Sequence, residues 1–386
     1  MVASRSESQA ITSGADEERG FGCQRLTTND DPLAIIPFIP AFAKTRSLPS
    51  VHPATDVRLG RILRLLMSHA TVVVSGTKIA EEIGTSRSEV WRMIQQLREL
   101  GVDVAGHPAT GYQLRAVPDL LLPEMLAASL KGTIFGKNAS KQIHHYYKIG
   151  STNSEAMRAA SEGAPEGSVF LAEEQLSGRG RGGHTWHSAR STGIYCSVIL
   201  RPAMPPSDAL IFSLAAGLAV RAAVAEIAPQ LQVDLKWPND ALLGGKKFCG
   251  ILTEMNAEAT RVRHLVVGIG INVNQAKFPT ELRDTATSLR LETGTEWSRA
   301  ELSAALLKSL DREYRSLVES EGARNAILRR FEESSLSVRG QKVRIDENGG
   351  LAGITEGLDE RGFLRVRTED RLQTVVTGTV RIISTL

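Results

Sequence analysis

The chain has 386 residues, a length that predicts two or three compact units and argues against a single small domain. Its 46 Lys and Arg against 43 Asp and Glu leave a net charge of +3, which neither demands nor excludes a nucleic-acid partner. Three cysteines without CxxC spacing argue against a disulfide framework and a structural zinc site, and they favour the reducing cytoplasm.

The N-terminal segment, residues 1–55, is predicted to be a disordered extension. It is rich in Ser, Thr, Asp, Glu and Pro and has no sustained apolar period. Its first twenty residues are polar and include acidic groups, unlike a signal peptide. The apolar run at 33–43 is short and is broken by Pro37 and Pro40, so we expect no membrane span.

Residues 56–117 carry the pattern of a winged helix-turn-helix domain. Apolar residues at helical spacing predict three helices, one from a cap at Thr55 or Asp56 to Leu66, one from Ser75 to Gly84, and one from Ser86 to Gly101. In the third helix, Ser86 and Glu89 match a capping box. Two short strands, at 102–104 and 111–114, are predicted to form the wing.

The third predicted helix is the candidate DNA-binding helix. A helix-turn-helix unit places the first residues of its second helix in the major groove, where arginines contact phosphates or guanine edges. From the pattern alone, a three-helix packing domain with no DNA role is the alternative. The residues expected to touch DNA are Ser86, Arg87, Ser88 and Arg92.

A central α+β domain is predicted for residues 118–334, after a linker at 118–123. Helical and strand-like segments alternate there, and we expect one sheet with helices against one face. The predicted helices lie at 124–130, 153–161, 209–227 and 299–318, and the predicted strands at 168–172, 194–200, 233–237, 250–255 and 265–273. From 335 to 386 the chain is strand-rich with glycine-containing turns, which predicts a small all-β domain.

The segment that most strongly indicates a ligand site is Gly178-Arg179-Gly180-Arg181-Gly182-Gly183-His184-Thr185-Trp186. Its glycines let the backbone lie close to a ligand, its two arginines offer forks for a carboxylate or phosphate, and its Trp offers a flat apolar face. We interpret the segment as a lid over a small anionic substrate. A flexible basic surface loop is the alternative.

Five motifs in this order resemble the biotin protein ligases, and more closely those that also act as biotin repressors. The motifs are Ser151-Thr152-Asn153, Gln175 with Gly178-Arg179-Gly180-Arg181, Lys236-Trp237-Pro238-Asn239-Asp240, Lys247 with Gly250-Ile251-Leu252, and Gly268-Ile269-Gly270-Ile271-Asn272. The resemblance implies a class II aminoacyl-tRNA synthetase-like central domain between the winged helix-turn-helix and a C-terminal SH3-like β-barrel. It departs at 182–185, where the family usually carries more positive charge before the Trp.

The resemblance also implies a reaction in two steps. The carboxylate of biotin is a poor acyl donor, so ATP first converts it to biotinyl-5′-adenylate by positioning and charge neutralisation. The amine of a lysine on a biotin carboxyl carrier protein then attacks the adenylate and releases AMP. Mg²⁺ is expected with ATP. Operator DNA is the expected second partner, and a homodimer is expected when the adenylate is bound.

The same resemblance assigns candidate residues to the reaction. The expected biotin contacts are Ser151, Thr152, Asn153, Gln175, Arg179, Gly180, Arg181, Lys247, Gly250, Gly268 and Gly270. The expected adenylate contacts are Arg181, Trp186, Asn239, Asp240, Lys247 and Asn272. Arg181, Lys247 and Asp240 are expected to supply the catalytic charges, and Asp240 or His184 is the candidate base for the acceptor amine. No histidine or cysteine has metal-ligand spacing, so no protein-bound metal is predicted.

Each motif also has an ordinary structural explanation. Ser-Thr-Asn before a helix is a common N-cap, strand glycines allow tight packing, and Asn-Asp after a proline is a common turn. Trp186 could equally belong to the core. At the level of function, one alternative is a DNA-binding biotin sensor that no longer catalyses, which the lower charge at 182–185 favours. The other is a lipoate-protein ligase, which shares the fold.

Overall fold

The computed structural model describes residues 53–383 apart from 70–71, 100, 117–118 and 347–349. The predicted disordered extension at 1–55 therefore lies almost entirely outside the described residues. The described chain contains a two-stranded, a seven-stranded and a five-stranded sheet. One sheet falls in each of the three predicted domains.

The N-terminal unit has three helices and a hairpin: α1 (Pro53–Ser68), α2 (Gly76–Ile83), α3 (Arg87–Glu99), β1 (Val104–His107) and β2 (Gly111–Leu114). Ser75 caps α2, and Gly84 ends it at φ 68°, a conformation that favours glycine. Helix α1 begins at Pro53, so Thr55 and Asp56 lie inside its first turn and not at its cap. Proline suits this first turn because its missing N–H would have no helical partner there.

One side of each helix in this unit is buried in a shared core, which includes Leu59, Ile62, Ile79, Val90, Ile94 and Leu97. Full burial of a side chain of this size contributes about 2 kcal/mol. Leu120 and Leu122 join the same core, whereas Leu121 between them enters the core of the central domain. The described part of the predicted linker is therefore packed into both cores.

The central domain alternates helices and strands: α4 (Pro123–Ala127), α5 (Ala139–Gln142), β3 (Ile143–Tyr146), α6 (Thr152–Ser161), β4 (Val169–Ala172), β5 (Gly193–Leu200), α7 (Leu210–Ile227), β6 (Asp234–Lys236), β7 (Asp240–Leu243), β8 (Lys246–Ala257), β9 (Val262–Asn272), α8 (Leu289–Thr293), α9 (Arg299–Glu319) and α10 (Ala323–Glu333). The strand order is β3-β4-β5-β9-β8-β7-β6. All neighbours are antiparallel except β3 and β4.

The two faces of this sheet are covered by different helices. Helices α7 and α9 pack over the face that includes Val198 and Val267. Helix α6 packs on the opposite face, against Phe170, Ile199 and Val266. Successive strand residues point to opposite faces, which explains why adjacent valines and isoleucines enter different cores. The expectation of helices against one face is therefore wrong for α6.

Helix α7 is apolar over most of its surface because it is the central helix of the core, and Arg221 and Glu226 lie on its exposed side. In the described chain, one helical stretch, Pro206–Ile227, is long and apolar enough to cross a membrane, and 67% of it is buried inside the protein. It contacts α9, α10 and strands β6 to β9. Its apolar character is thus accounted for by packing between helices and sheet.

The C-terminal domain is a five-stranded antiparallel sheet: β10 (Arg339–Ile345), β11 (Leu351–Leu358), β12 (Leu364–Arg367), β13 (Leu372–Val375) and β14 (Val380–Ile382). Val343, Val366 and Val380 are buried in the same core as α7. The indole Nε1 of Trp237 donates to the carbonyl of Gly362 at 2.9 Å. The predicted all-β domain is therefore packed firmly against the central domain.

Candidate active site

A cavity opens on the sheet face that carries α6, and about 50 Å³ of it is accessible to water-sized molecules. All the predicted ligand contacts line the cavity except Asp240 and Asn272. Residues from five separate motifs, spread over more than a hundred positions of sequence, thus surround one space.

Helix α6 begins at the cavity because Ser151 caps it. The Ser151 hydroxyl accepts from the backbone amide of Ser154 at 3.4 Å. The N-cap explanation therefore holds for Ser151, which also lines the cavity. The cap fixes the first turn of the helix, and this turn holds Thr152 and Asn153 against the sheet.

One end of the cavity is lined by hydroxyl and amide groups that bind one another. Gln175 Oε1 accepts from the Thr152 amide at 2.9 Å and from its hydroxyl at 3.1 Å. Gln175 Nε2 donates to Ser188 Oγ at 2.9 Å, and Ser197 Oγ donates to Thr152 Oγ1 at 2.9 Å. These neutral donors and acceptors can exchange partners with a neutral polar ring.

Asn153 is held inside this wall by hydrogen bonds on both ends of its amide. Its Oδ1 accepts from Ser197 at 2.8 Å, and its Nδ2 donates to Glu254 at 2.8 Å and to the Leu252 carbonyl at 3.3 Å. A Cβ at Gly268 would lie 2.1 Å from Asn153 Oδ1. Gly268 therefore makes room for the Asn153 side chain.

Trp186 lies on the sheet where two neighbouring strands both have glycine. Gly250 of β8 pairs with Gly270 of β9, and a Cβ on either would come within 2.8 Å or 2.6 Å of the indole. The Trp186 indole therefore lies beside Gly250 and Gly270, where biotin was expected to contact these glycines. Its indole Nε1 is buried without a hydrogen-bond partner among the described residues, so it can donate to an acceptor on a ligand.

A lysine and a carboxylate stand beside the indole. Lys247 Nζ is 2.6 Å from Asp240 Oδ1 and 5.6 Å from the centroid of the Trp186 ring. Asp240 opens β7 and pairs in register with Gly250, so the sheet itself places it next to the lysine. Asp240 does not line the cavity itself, but it binds the ammonium group of Lys247, which does.

Two predicted adenylate contacts bind backbone atoms of the protein. Asn239 Nδ2 donates to the Ile251 carbonyl at 2.8 Å, although Asn239 also lines the cavity. Asn272 Nδ2 donates to the Thr287 carbonyl at 3.0 Å, and its Oδ1 accepts from Gln275 at 3.2 Å. The structure places Asn272 at the end of β9, outside the cavity lining, and its contact with the adenylate stays a prediction.

The glycine–arginine segment, residues 178–186 and called the lid below, is folded back on itself. The amide of Gly180 donates to the His184 carbonyl at 2.7 Å, and the amide of Trp186 donates to the Gly178 carbonyl at 2.9 Å. Two consecutive glycines at its tip have φ of 66° and 81°, which side-chain-bearing residues rarely adopt. These bonds favour an ordered lid over the alternative of a flexible loop.

The two arginines of the lid bind different parts of the protein. Arg179 donates to Glu254 Oε1 at 2.6 Å and to Ser154 Oγ at 3.2 Å. Arg181 donates to the Thr377 hydroxyl of the C-terminal domain. One arginine therefore fixes the lid to β8, the other fixes it to the C-terminal domain, and both line the cavity.

Among the residues of the site that were not predicted from the sequence are Ser197, Glu254 and Thr377. For Glu254 a signal existed, because Gly250, Leu252 and Glu254 alternate along β8 and so share one face of the sheet. The other two carry no local signal, since hydroxyl residues are common in strands and turns.

A second charged cluster lies directly after β4, at the start of α9. The fully buried carboxylate of Glu173 accepts from Arg299 at 2.7 Å and from the Leu121 amide at 2.9 Å, and His145 Nε2 is 3.0 Å away. Arg299 also donates to Asp119 at 2.8 Å. Burial opposes ionisation of Glu173, but the His145 hydrogen bond and the Arg299 charge lower its pKa to about 2.

The predicted DNA-binding helix exposes Arg87, Ser88 and Arg92, as well as Ser86 before its first turn. Ser86 Oγ accepts from the amide of Glu89 at 3.2 Å and lies 2.9 Å from Ser88 Oγ. The Glu89 carboxylate pairs with Arg92. The hydrogen bond that Ser86 contributes to the predicted capping box is therefore formed, whereas the Glu89 side chain binds Arg92.

Two further side chains of α3 complete this surface. Arg98 donates to the Val104 carbonyl at 3.0 Å and 2.9 Å, so it ties the helix to the wing. Trp91, which the sequence reading did not single out, is 57% exposed. The helix therefore presents an aromatic ring among its exposed basic and hydroxyl groups.

Comparison with known proteins places two parts of the chain in described families. Residues 147–272 match the biotin/lipoate A/B protein ligase family, and residues 58–113 match a helix-turn-helix domain. Among solved structures, the chain is similar to the biotin protein ligase from Aquifex aeolicus in complex with biotin and ATP. The TM-score is 0.55 at 30% identity, covering 63% of this chain and 100% of that one.

Curated relatives extend the similarity over both parts. The chain is 35% identical over 325 residues to the bifunctional ligase/repressor BirA of Bacillus spizizenii, covering 83% of this chain and 97% of the relative. It is 34% identical over 270 residues to the biotin–[acetyl-CoA-carboxylase] ligase of Mycobacterium tuberculosis, covering 68% and 97% respectively. The first of these relatives spans both the helix-turn-helix and the cavity.

Proposed function

Because the chain belongs to the biotin protein ligases, among the bifunctional ligase/repressors, we propose that it biotinylates a carrier protein and represses transcription. In the first step a carboxylate oxygen of biotin attacks the α-phosphorus of ATP, and the bond from that phosphorus to pyrophosphate breaks. In the second step a lysine amine of a biotin carboxyl carrier protein attacks the acyl carbon, and AMP leaves.

One observation carries this proposal: the cavity joins a neutral polar end to a cationic end. The neutral end has the Thr152 and Gln175 groups, which suit a ureido ring. The cationic groups are Lys247 and Arg181, which suit a carboxylate and a phosphate. A ligand bound between them would have its reacting carboxylate beside the charges that the first step needs.

The positive groups at this end would act by stabilising charge. Negative charge builds up on the phosphate oxygens as pyrophosphate leaves, and donors fixed beforehand stabilise it without reorganisation. Asp240 holds the Lys247 ammonium in place at 2.6 Å until the phosphate competes for it. Arg181, tied to the C-terminal domain, would close the lid over the adenylate. Asp240 remains our candidate base for the acceptor amine.

Mg²⁺ would enter with ATP and counter the charge of its β- and γ-phosphates. The described residues contain no group of three or more His, Cys, Asp or Glu side chains able to hold a metal. Mg²⁺ usually binds through one or two carboxylates together with substrate phosphates and water.

The test of the ligase activity is exchange of labelled pyrophosphate into ATP by the purified protein with Mg²⁺. We expect exchange with biotin and none with lipoate. Exchange with lipoate alone would favour the lipoate ligase alternative. Retained binding of biotin without exchange would favour the non-catalytic sensor. The Lys247–Asp240 pair supports catalysis against that sensor.

The repressor role is supported by the exposed face of α3 and by the helix-turn-helix match. We propose that this face reads operator DNA when the adenylate is bound and the protein is a homodimer. Selection from a randomised duplex library, with and without biotin and ATP, tests this. Enrichment of one sequence only with both substrates is the expected result. A cytoplasmic location suits both roles, and the free thiols Cys196 and Cys249 agree with it.

A further inference from the structure

Among the residues that the structure describes, Glu254 is the carboxylate that binds both the lid and the polar end of the cavity. Its Oε1 accepts from Arg179 of the lid at 2.6 Å, and its Oε2 accepts from Asn153 at 2.8 Å. The side chain of Glu254 is 20% exposed, and that of Arg179 is 45% exposed. Because each oxygen has its own partner, one ionised carboxylate holds both groups at once.

The hydrogen bonds continue from Asn153 around the cavity wall to the other arm of the lid. The Ser197 hydroxyl lies 2.8 Å from Asn153 Oδ1 and 2.9 Å from Thr152 Oγ1. Thr152 donates to Gln175, Gln175 donates to Ser188, and Ser188 donates to the Trp186 carbonyl at 3.2 Å. The chain of bonds thus starts at Arg179, on one arm of the lid, and ends at Trp186, on the other.

We propose that Glu254 is a positioning residue that couples occupancy of the polar end of the cavity to closure of the lid. A ligand that fixes the Thr152, Gln175 and Asn153 groups would fix Glu254 through Asn153, and Glu254 would hold Arg179. The predicted consequence is retention of the adenylate. This inference rests on the proposed ligase function and adds a determinant of intermediate retention to it.

The geometry explains why a glutamate is needed. A glutamine at this position keeps the shape and one acceptor, but its NH₂ group is a donor and cannot accept from a guanidinium or an amide N–H. Either the Arg179 bond or the Asn153 bond is then lost. Glu254→Gln therefore separates the lid from the polar wall while it leaves the cavity shape in place.

The experiment uses the full-length protein and measures how long it keeps the adenylate. Labelled biotin, ATP and Mg²⁺ are incubated with the protein, free label is removed, and release is followed against excess unlabelled biotin. For Glu254→Gln we expect release roughly tenfold faster, the factor given by about 1.4 kcal/mol. The rise in release should exceed any fall in the rate of pyrophosphate exchange.

Glu258→Gln is the matched control, because Glu258 lies just beyond the same strand and pairs with Arg263 on the surface at 2.7 Å. It should release the adenylate at the unmodified rate. A Glu254→Gln lifetime equal to that of this control overturns the proposal. Absence of any adenylate in the unmodified protein is a different result, which overturns the proposed ligase function.

A second variant approaches the same pair from its exposed side. Arg179→Gln should shorten the adenylate lifetime, and the double variant Arg179→Gln with Glu254→Gln should release no faster than the faster single variant. Additive effects would mean that the two residues act independently and would overturn the coupling. If Glu254→Gln melts early, all release rates are measured at a temperature at which this variant is folded.

Discussion

Glu173 and Glu254 are two carboxylates of the central domain that each bind an arginine, in very different surroundings. The Glu173–Arg299 pair has both side chains fully buried, whereas Arg179, the partner of Glu254, is 45% exposed. Glu173 accepts a hydrogen bond from Leu121, whose neighbours pack in the core of the helix-turn-helix unit, and Glu254 binds Arg179 of the lid. Burial therefore decides whether such an ion pair stabilises the fold or can break and re-form while the protein works.

The physical reason is the cost of separating each pair. A buried arginine that loses its carboxylate stays in a medium that solvates charge poorly, so breaking the pair is expensive. An arginine at the rim of the cavity regains water when its partner leaves, so breaking that pair costs little. A lid must open and close, which an exposed ion pair such as Arg179–Glu254 permits and a buried pair such as Arg299–Glu173 does not.

The largest predicted effect comes from Glu173→Ala. It leaves the Arg299 charge buried without Glu173, and we expect the free energy of unfolding to fall by about 3–5 kcal/mol. Urea denaturation measures this. Glu174→Ala is the control, because the neighbouring Glu174 pairs with Lys148 and Arg190 near the surface. Equal losses for the two variants would contradict the comparison.

Acid should destabilise the protein through the same buried carboxylate. The pKa of Glu173 is about 2 in the folded protein, against 4.5 for an ordinary glutamate. The unfolded chain therefore takes up this proton first, and the stabilisation, present above about pH 4.5, is lost as the pH falls towards 2. The contribution is on the order of 3 kcal/mol. Urea titrations across this range should converge for the unmodified protein and Glu173→Ala, and parallel curves would refute the assignment.

Arg181→Gly should change function with little change in stability. It removes the contact of the lid with Thr377 and a positive charge from the cavity, so the adenylate should escape about tenfold faster and label bystander lysines. The free energy of unfolding should change by less than about 1 kcal/mol. Arg190→Gly, in a loop outside the lid, is the control. An unchanged adenylate lifetime would remove Arg181 from the lid mechanism.

The smallest predicted effect is the stability change of Arg179→Gln. Because Arg179 is 45% exposed, solvent screens its pair with Glu254, and the loss should be at most about 1 kcal/mol. Thermal and urea denaturation check it beside Glu173→Ala. A loss of the same size as that of Glu173→Ala would show that the rim pair also fastens the fold.

Features fixed by neighbouring residues were predictable from the sequence. The winged helix-turn-helix prediction is confirmed, because caps such as Ser75 and ends such as Gly84 act within a few residues. The motif residues of the cavity were also identified in advance, because each is marked by a short unusual stretch. The resemblance to the biotin protein ligases indicated that these motifs form one site, which no single motif indicates by itself.

Features fixed by distant partners were not predictable. The Glu254–Asn153 bond joins residues 101 positions apart, and the Arg299–Asp119 bond joins residues 180 apart. Such pairs depend on strand order and register, which local periodicity does not specify. For the same reason the sequence predicted that a group lies close to Gly250 and Gly270, but it did not predict that this group is the Trp186 indole.

The contact of Trp186 with Gly250 and Gly270 limits how this cavity can be redesigned. A methyl group on either strand would meet the indole and push the lid away from the sheet, so neither glycine is a position for enlarging the site. Room for a bulkier carboxylic acid has to come from the indole itself, by replacement with a smaller apolar side chain. Engineering of substrate scope should therefore begin in the lid and leave the strands unchanged.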